Sequence, residues 1–172
     1  MSNRTLAIIK PDAVEKGYSG EILAMILKAG FKVKAMKMIH LTRSSAEGFY
    51  AVHKGRPFFD NLVQYMTSGP CIPIALEKEN AVEDYRKLIG ATDPAKAAAG
   101  TVRKLFAVDI QYNAVHGSDS NENAAIEGRG SLCVERALEP HPVHGGLRGR
   151  SFPRTARPAF PGPGSQGSDS GG

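Results

Sequence analysis

The sequence predicts an α+β domain of the ferredoxin-like order βαββαβ, a four-stranded antiparallel sheet with helices packed on one face, followed by a disordered tail. Three observations lead to this fold class. Apolar runs that are too short for helices alternate along the chain with segments of helical periodicity. Glycines and prolines separate these segments. Beyond residue 127 the composition changes to glycine, proline and arginine.

The first predicted elements are a strand and a helix. Residues 4–10 are a compact apolar run that a proline ends, which indicates a buried strand with Lys10 at its carboxyl end. A turn over residues 12–17 follows, and Ser19 is a candidate cap for the helix. Gly30 ends that helix in the C′ position. The apolar residues that share its face are Ile22, Leu23, Ile26 and Leu27.

A second strand and two further helices come next. Residues 31–41 alternate apolar residues with lysines, which predicts a half-buried strand with a bulge. Ser44 and Glu47 have the spacing of a capping box and predict a short helix. Residues 58–66 predict another helix, because their apolar side chains recur at helical spacing. Those side chains are Phe58, Leu62, Tyr65 and Met66.

The third strand and its following helix lead into a long connection. Residues 71–76 form an apolar run typical of a strand. A helix is predicted from Asn80 to Ile89, with Gly90 as its stop. Residues 91–110 have no long amphipathic period and predict a loop. A loop of that length inside a compact domain is usually functional or disordered.

The fourth predicted strand ends at a histidine. Apolar residues alternate from Val108 toward His116, which lies on a Gly-Ser corner before a short polar helix. An unprotonated imidazole nitrogen is a good nucleophile near neutral pH, and the backbone N–H groups that begin a helix suit an anion. The combination suggests phosphoryl transfer, although on this chemistry alone an ordinary loop histidine beside Gly-Ser is the favoured interpretation.

Composition separates a nearly neutral domain from a basic tail. Residues 1–127 carry 16 Lys and Arg against 14 Asp and Glu, whereas residues 128–172 carry six Arg and three acidic residues. The tail also holds ten Gly and six Pro, with too few apolar residues to offset the entropy of ordering it. Only residues 132–138 within it predict a brief helix.

The cysteines, Cys71 and Cys133, have no metal-like spacing and are expected to be reduced thiols. No apolar run approaches the ~20 residues that span a bilayer, so a cytoplasmic protein is expected.

Six blocks of the chain resemble the conserved blocks of the nucleoside diphosphate kinases, in the same order and at compatible spacing. They are residues 4–12, 50–59, 67–70, 88–94, 100–106 and 113–120. The resemblance implies transfer of the γ-phosphoryl group of a nucleoside triphosphate, typically ATP, to a nucleoside diphosphate. It also implies Mg²⁺ and a phosphohistidine intermediate.

The resemblance implies a role for each matching residue. His116 would be the nucleophile. Tyr50, Ser118 and Glu127 would surround it, with Glu127 orienting the histidine environment together with Ser118. Six residues would bind the nucleotide. Lys10 and Asn113 would contact the sugar, and Phe58 would stack on the base. The phosphates would be held by Arg86, Thr92 and Arg103. Lys10 would also reach the terminal phosphate.

These implied roles agree with the chemistry of phosphoryl transfer. Positioning and charge stabilisation dominate that reaction, and guanidinium groups bind phosphate bidentately. Phe58 would stack on the flat aromatic face that every base has, so broad nucleotide specificity is expected. A covalent histidine intermediate predicts ping-pong kinetics. Because the sequence has no carboxylate cluster fit to bind Mg²⁺ alone, we expect the metal to be held mainly through the nucleotide phosphates.

The same residues allow an alternative function, and the C-terminal tail departs from the family pattern. The alternative is a non-catalytic regulatory module on the same fold that binds nucleotide or nucleic acid; such a relative is expected to lose His116, Lys10 or a phosphate-binding arginine, and all are present. The departure is the Gly/Pro/Arg tail, which stands where the family normally continues with an apolar, aromatic-containing stretch. A homo-oligomer, tetramer or hexamer, is expected, with neither membrane nor nucleic acid as a partner.

Overall fold

The sheet of this protein is antiparallel throughout. The computed structural model describes residues 3–129, with side chains as far as residue 127. Within that part the strands are β1 (Arg4–Ile9), β2 (Lys32–Met36), β3 (Ile39–His40), β4 (Pro70–Glu77) and β5 (Val115–Gly117). Their order across the sheet is β2-β4-β1-β5, and the short β3 pairs with the start of β4. This order confirms the predicted ferredoxin-like sheet.

Seven α-helices and one 3₁₀ helix (Ala51–His53) accompany the sheet in the described residues. The α-helices are α1 (Pro11–Glu15), α2 (Ser19–Lys28), α3 (Arg43–Phe49), α4 (Phe59–Met66), α5 (Ala81–Ile89), α6 (Val102–Phe106) and α7 (Asn121–Arg129). The segment predicted as a turn before α2 is therefore a short helix, and its proline occupies the first turn, where a missing N–H costs nothing.

Helices cover both faces of the sheet, so the prediction of a single covered face was wrong. Alternate residues of β1 belong to two separate buried clusters. Ala7 and Ile9 pack with residues of α1, α2 and α5, whereas Leu6 and Ile8 pack with residues of α3 and α4. Successive strand residues point to opposite faces, so the uninterrupted apolar run of β1 is what a strand covered on both sides requires.

Two predicted helix caps are replaced by neighbouring residues. Helix α3 begins at Arg43, and its cap is Thr42, whose hydroxyl accepts a hydrogen bond from Ser45 N at 3.1 Å. Ser44 thus lies inside the helix, and Glu47 binds Arg43 instead of completing a capping box. Ser19 is likewise the first residue of α2 and makes no side-chain cap. Gly30, with a φ of 84°, follows the C-cap of α2 as predicted.

The predicted fourth strand is much shorter than its alternating pattern indicated. Residues 108–112 form an exposed bend, in which the Asp109 carboxylate accepts hydrogen bonds from Gln111 N and Tyr112 N. Only Val115–Gly117 pairs with β1. The predicted bulge in the second strand is confirmed by a register shift between Val33 and Ala35.

The C-terminal predictions fall mostly outside the described residues. Helix α7 continues to Arg129, two residues beyond the predicted end of the domain at residue 127. The predicted disordered tail and its brief helix at 132–138 lie outside the described part of the chain. The division into a domain of residues 1–127 and a tail of residues 128–172 stays a prediction.

Candidate active site

The candidate site lies where the ends of β1 and β5 meet. The antiparallel register pairs Ile8 with His116 and Ile9 with Val115. Lys10, the next residue after β1, therefore lies beside the chain that enters β5, and its backbone N–H donates to Ala114 O at 2.9 Å. Two distant segments of the sequence are brought together in this way.

His116 is part of β5 and faces Glu127. Its side chain is 21% exposed, and its Nε2 lies 3.3 Å from Glu127 Oε1. Nε2 itself is buried and makes no hydrogen bond within the described part of the chain, because the contact with the carboxylate is close but not aligned. Ser118 donates a hydrogen bond of 2.5 Å to Glu127 Oε2 and accepts one from Leu6 N. The β1 backbone thus fixes Ser118, and Ser118 fixes the carboxylate that faces the histidine.

Two aromatic rings enclose the other sides of the imidazole. The centroids of Phe49 and Tyr50 lie 5.3 and 6.3 Å from that of His116, both edge to face. Burial, together with the nearby Cys71 and Glu127, raises the pKa of Tyr50 far above its usual range. The phenol is therefore a neutral donor, and its hydroxyl has no hydrogen-bond partner among residues 3–127.

Lys10 and Asn113 form a buried polar pair. Lys10 Nζ donates to Asn113 Oδ1 at 2.7 Å, and Asn113 Nδ2 donates to Ile110 O at 2.8 Å. Burial lowers the pKa of Lys10 to about 8; the nearby Arg103 acts in the same direction and Asp12 opposes it. A buried ammonium whose charge is this costly is well suited to an anionic ligand.

Arg103 is close to Lys10 and is fixed by backbone carbonyls. Its two terminal nitrogens donate to Gly90 O at 2.8 Å and to Val115 O at 3.1 Å. Its Nε is buried without a partner in the described region. Burial lowers the pKa of the guanidinium, and the positive charge of Arg86 adds to that effect. Arg86 is therefore close enough to contribute to the same positive potential.

The remaining predicted residues surround this centre without touching it directly. Phe58 is 51% exposed and packs on His53, which in turn stacks on Tyr50. Arg86 is exposed on α5 and lines a groove of about 510 Å³ between α5 and the start of α7. Thr92 is exposed on the loop after α5. The structure thus joins the histidine cluster to the Lys10 cluster through β5, and leaves the other three side chains open to solvent.

A family model described as nucleoside diphosphate kinase matches residues 3–131 of this chain. The chain belongs to the nucleoside diphosphate kinase family.

Individual relatives agree with the family model. The chain is 61% identical over 127 residues to a nucleoside diphosphate kinase of Nitratidesulfovibrio vulgaris, which covers 74% of this chain and 91% of that relative. It is 62% identical over 135 residues to one of Chlorobaculum parvum, covering 78% of this chain and 96% of the relative. Among solved structures, the Aquifex aeolicus nucleoside diphosphate kinase superposes with a TM-score of 0.73 at 43% identity, covering 77% of this chain and 98% of that one.

Sequence reasoning missed three residues that this family member places at the site. They are Asp12, Tyr65 and Ala114. Asp12 accepts a hydrogen bond of 2.5 Å from Tyr65 OH and one of 3.1 Å from Ala114 N. The signal for Asp12 was its place in the Lys-Pro-Asp block, but the sequence alone gives no partner for it.

The side chains of the site that could bind phosphate oxygens are either cationic or neutral. Within residues 3–127 no group of three or more His, Cys, Asp or Glu side chains could hold a metal ion. Lysine, arginine, asparagine and threonine suit phosphate oxygens, so a nucleotide with its own Mg²⁺ fits these residues better than a bare ion does. Separately, no helix in the described part has both the length and the apolar content needed to cross a membrane.

Proposed function

We propose that this nucleoside diphosphate kinase family member transfers the γ-phosphoryl group of a nucleoside triphosphate, typically ATP, to a nucleoside diphosphate through phosphorylated His116. The chain is a phosphotransferase that maintains the pools of NTP and dNTP. The observation that carries the mechanism is the arrangement around His116. Its Nε2 is buried 3.3 Å from the Glu127 carboxylate, and the buried Lys10 and Arg103 bind the backbone of Ala114 and Val115 just before it.

We infer the roles of the two ring nitrogens of His116 from the burial of Nε2. Because Nε2 faces Glu127, Nδ1 is the nitrogen left to attack the γ-phosphorus. An N–P bond forms as the bond from phosphorus to the β–γ bridging oxygen breaks, and the nucleoside diphosphate leaves with that electron pair. Glu127, fixed by Ser118, stabilises the positive charge that the ring acquires. In the second half-reaction a terminal oxygen of the acceptor diphosphate attacks the phosphorus and returns the electron pair to Nδ1.

The nucleotide is bound by the residues around this centre. Arg86, Thr92 and Arg103 hold the β- and γ-phosphates, and electrostatic stabilisation from such groups supplies most of the catalysis in phosphoryl transfer. Lys10 and Asn113 contact the ribose, and Lys10 also reaches the terminal phosphate. The exposed Phe58 stacks on the base, so that base identity matters little.

Mg²⁺ is the cofactor in this proposal and is held mainly through the nucleotide phosphates. When bound, the ion neutralises phosphate charge and stabilises the leaving diphosphate. The arginines and the lysine supply the remaining positive charge. Two backbone carbonyls fix Arg103, and the Asn113 side chain fixes Lys10.

The remaining expectations are part of the same proposal. We propose a cytoplasmic homo-oligomer, tetramer or hexamer, that binds ATP and other nucleoside tri- and diphosphates. The non-catalytic module is not favoured, because every side chain whose loss would mark an inactive relative is in place.

Transfer of label tests the proposed function. The purified chain is incubated with γ-labelled ATP and Mg²⁺, assayed for acid-labile, base-stable label, and then chased with GDP. We expect label on the wild type that moves to GDP, and none on His116→Ala. His40→Ala, which removes an exposed histidine bound to Thr67 O, is the matched control and should keep the label. A folded wild type that takes no label would overturn the kinase mechanism.

A further inference from the structure

The residue between Asn113 and Val115 has a conformation that alanine rarely adopts. Ala114 is fully buried and has a φ of 64°. Val115 N donates to Asn113 O at 2.7 Å across it. A hydrogen bond from residue i+2 back to residue i around a positive φ is a γ-turn of the rare, strained type. Such strain persists only where the surroundings impose it, and it clusters at functional sites.

Two groups hold Ala114 from opposite sides. Lys10 N donates to Ala114 O at 2.9 Å, and Ala114 N donates to Asp12 Oδ2 at 3.1 Å. The other carboxylate oxygen, Oδ1, accepts from Tyr65 OH at 2.5 Å. Asp12 and Tyr65 are both nearly fully buried. A buried carboxylate with a partner on each oxygen has little freedom to move.

The turn joins two parts of the site. Asn113, the first residue of the turn, binds Lys10 Nζ, and Val115, its last residue, directly precedes His116. The Tyr65 ring also lies under the Lys10 ammonium, which is 5.6 Å from its centroid. A change in the backbone at Ala114 would therefore change the separation of the lysine–asparagine pair from the histidine.

We propose that Asp12, braced by Tyr65, is a positioning residue that holds the strained turn at Ala114 and thereby sets the distance between the Lys10–Asn113 pair and His116. In this proposal Asp12 acts through the turn and not through contact with the nucleotide or the phosphoryl group. The part of this inference that concerns catalysis rests on the proposed function, whereas the part that concerns the turn does not.

The variant Ala114→Gly distinguishes a positioning role of Asp12 from a general contribution of Asp12 to stability. Glycine adopts positive φ without the penalty that a Cβ imposes. It therefore forms the same turn with less help from Asp12. If Asp12 acts by holding the turn, Ala114→Gly should partly restore a chain that lacks the carboxylate. If Asp12 merely stabilises the domain, Ala114→Gly should raise the free energy of unfolding, because it relieves the positive φ, without raising the labelling rate of the folded chain.

The experiment measures the single-turnover rate of His116 labelling by ATP and Mg²⁺ in the full chain. We expect Asp12→Ala to slow labelling roughly tenfold to a hundredfold, since a misplacement of about 1 Å costs on the order of 10²-fold. Adding Ala114→Gly should recover about tenfold of that loss. Asp12→Asn should retain more of the rate than Asp12→Ala, because its oxygen can accept from Ala114 N while its amide donates to Tyr65. Asp60→Ala, an exposed carboxylate on the same helix as Tyr65, is the control and should keep the wild-type rate.

A second measurement does not depend on activity. Hydrogen exchange of the Ala114 amide, followed by NMR, should be slow in the wild type and at least about tenfold faster in Asp12→Ala, because its only acceptor in the described part of the chain is lost. Should Asp12→Ala fail to fold, Tyr65→Phe removes one bond of the carboxylate and should accelerate exchange and slow labelling by a smaller factor.

These experiments distinguish a failure of the inference about Asp12 from a failure of the proposed function. A wild type without label contradicts phosphoryl transfer, and the amide exchange rates then decide whether Asp12 holds the turn. Folded Asp12→Ala with unchanged labelling and unchanged exchange would overturn the inference. So would a double variant, Asp12→Ala with Ala114→Gly, that labels no faster than Asp12→Ala alone.

Discussion

Lys10 keeps its ammonium in surroundings that disfavour a charge. Its side chain is buried, close to Arg103, and its one side-chain hydrogen bond in the described region goes to a neutral amide oxygen. Desolvation is the largest effect and lowers its pKa from 10.5 to about 8. The protein therefore carries this charge at a cost in stability until an anion is bound.

That cost predicts how stability depends on pH. Below about pH 8 the lysine is charged in both states, and the native state alone is penalised. Between about pH 8 and 10.5 the native state has lost a proton that the unfolded chain keeps, so the free energy of unfolding should rise with pH, by up to about 1.4 kcal/mol per pH unit. Urea unfolding at about pH 7, 8.5 and 10 measures it.

Lys10→Met should lack this rise. The difference in unfolding free energy between wild type and variant should therefore grow in favour of the wild type from neutral to alkaline pH. Lys16→Met removes an exposed lysine and controls for the loss of a charge. Parallel curves for wild type and Lys10→Met would contradict a lowered pKa for the buried lysine.

At the scale of single residues, the sequence predicted some of the residues that gather but not how they are held. The motif that contains Lys10, and the one that contains Asn113 and His116, are in contact as the resemblance implied. The contact between Ser118 and Glu127 was also anticipated as a shared role. The hydrogen bonds of Asp12 could not be predicted, because one partner is a backbone amide and the other, Tyr65, follows 53 positions later in the chain.

Strand β5 and helix α5 are packed so closely that residue 117 has no room for a side chain. A Cβ on Gly117 would lie 2.7 Å from ring carbons Cδ1 and Cε1 of Tyr85 and 3.2 Å from Ile89 Cδ1. Tyr85 is fully buried and cannot withdraw easily. The close approach of α5 to the strand that carries the histidine thus depends on this glycine.

Gly117→Ala should therefore destabilise the protein by about 1–3 kcal/mol, the usual cost of overpacking. It should also slow labelling of the neighbouring His116 by shifting β5. Gly48→Ala is the matched control, because a Cβ there meets nothing within 4 Å and the residue lies inside α3. That control should stabilise the protein by up to about 1 kcal/mol. Urea unfolding of both variants checks these values, and equal stability of the two would contradict the packing argument.

Elements were predictable where local pattern and tertiary contacts agree. The runs at β1 and β4 and the helix before Gly90 satisfy both, and their positions are confirmed. The alternation from Val108 to Tyr112 has no neighbouring strand to pair with, so hydrogen bonds to the Asp109 side chain determine the local backbone instead. The start of α3 was misplaced because Thr42 and Ser44 are both good caps, and only the path of the incoming chain decides between them.

At the scale of the whole molecule, the end of α6 and the bend before β5 expose several large apolar side chains close together in sequence. They are Leu105, Val108, Ile110 and Tyr112, each at least 43% exposed. Clustered exposed apolar residues often mark a contact with another chain. We therefore attribute the proposed homo-oligomer in part to this segment.

Ile110→Asp should weaken that association. We expect a tetramer or hexamer for the wild type by light scattering after size exclusion, and a smaller species for the variant at low concentration, since a charge in an apolar contact is costly. Its melting temperature should also become more dependent on protein concentration. Val52→Asp, at an exposed apolar residue outside the segment, should leave the mass unchanged. A monomeric wild type would contradict the proposed assembly.

The central place of β1 in the sheet has a consequence for biosynthesis. This strand is translated well before its neighbours, residues 70–77 and 115–117. At about 5–20 residues per second, the ribosome needs several seconds to make the first neighbour and several more to make the second. Throughout that interval the most apolar strand of the nascent chain has no sheet to join. Chaperones that shield Leu6 to Ile9 should therefore raise the yield of active protein during synthesis more than they raise the yield when the full-length chain is refolded.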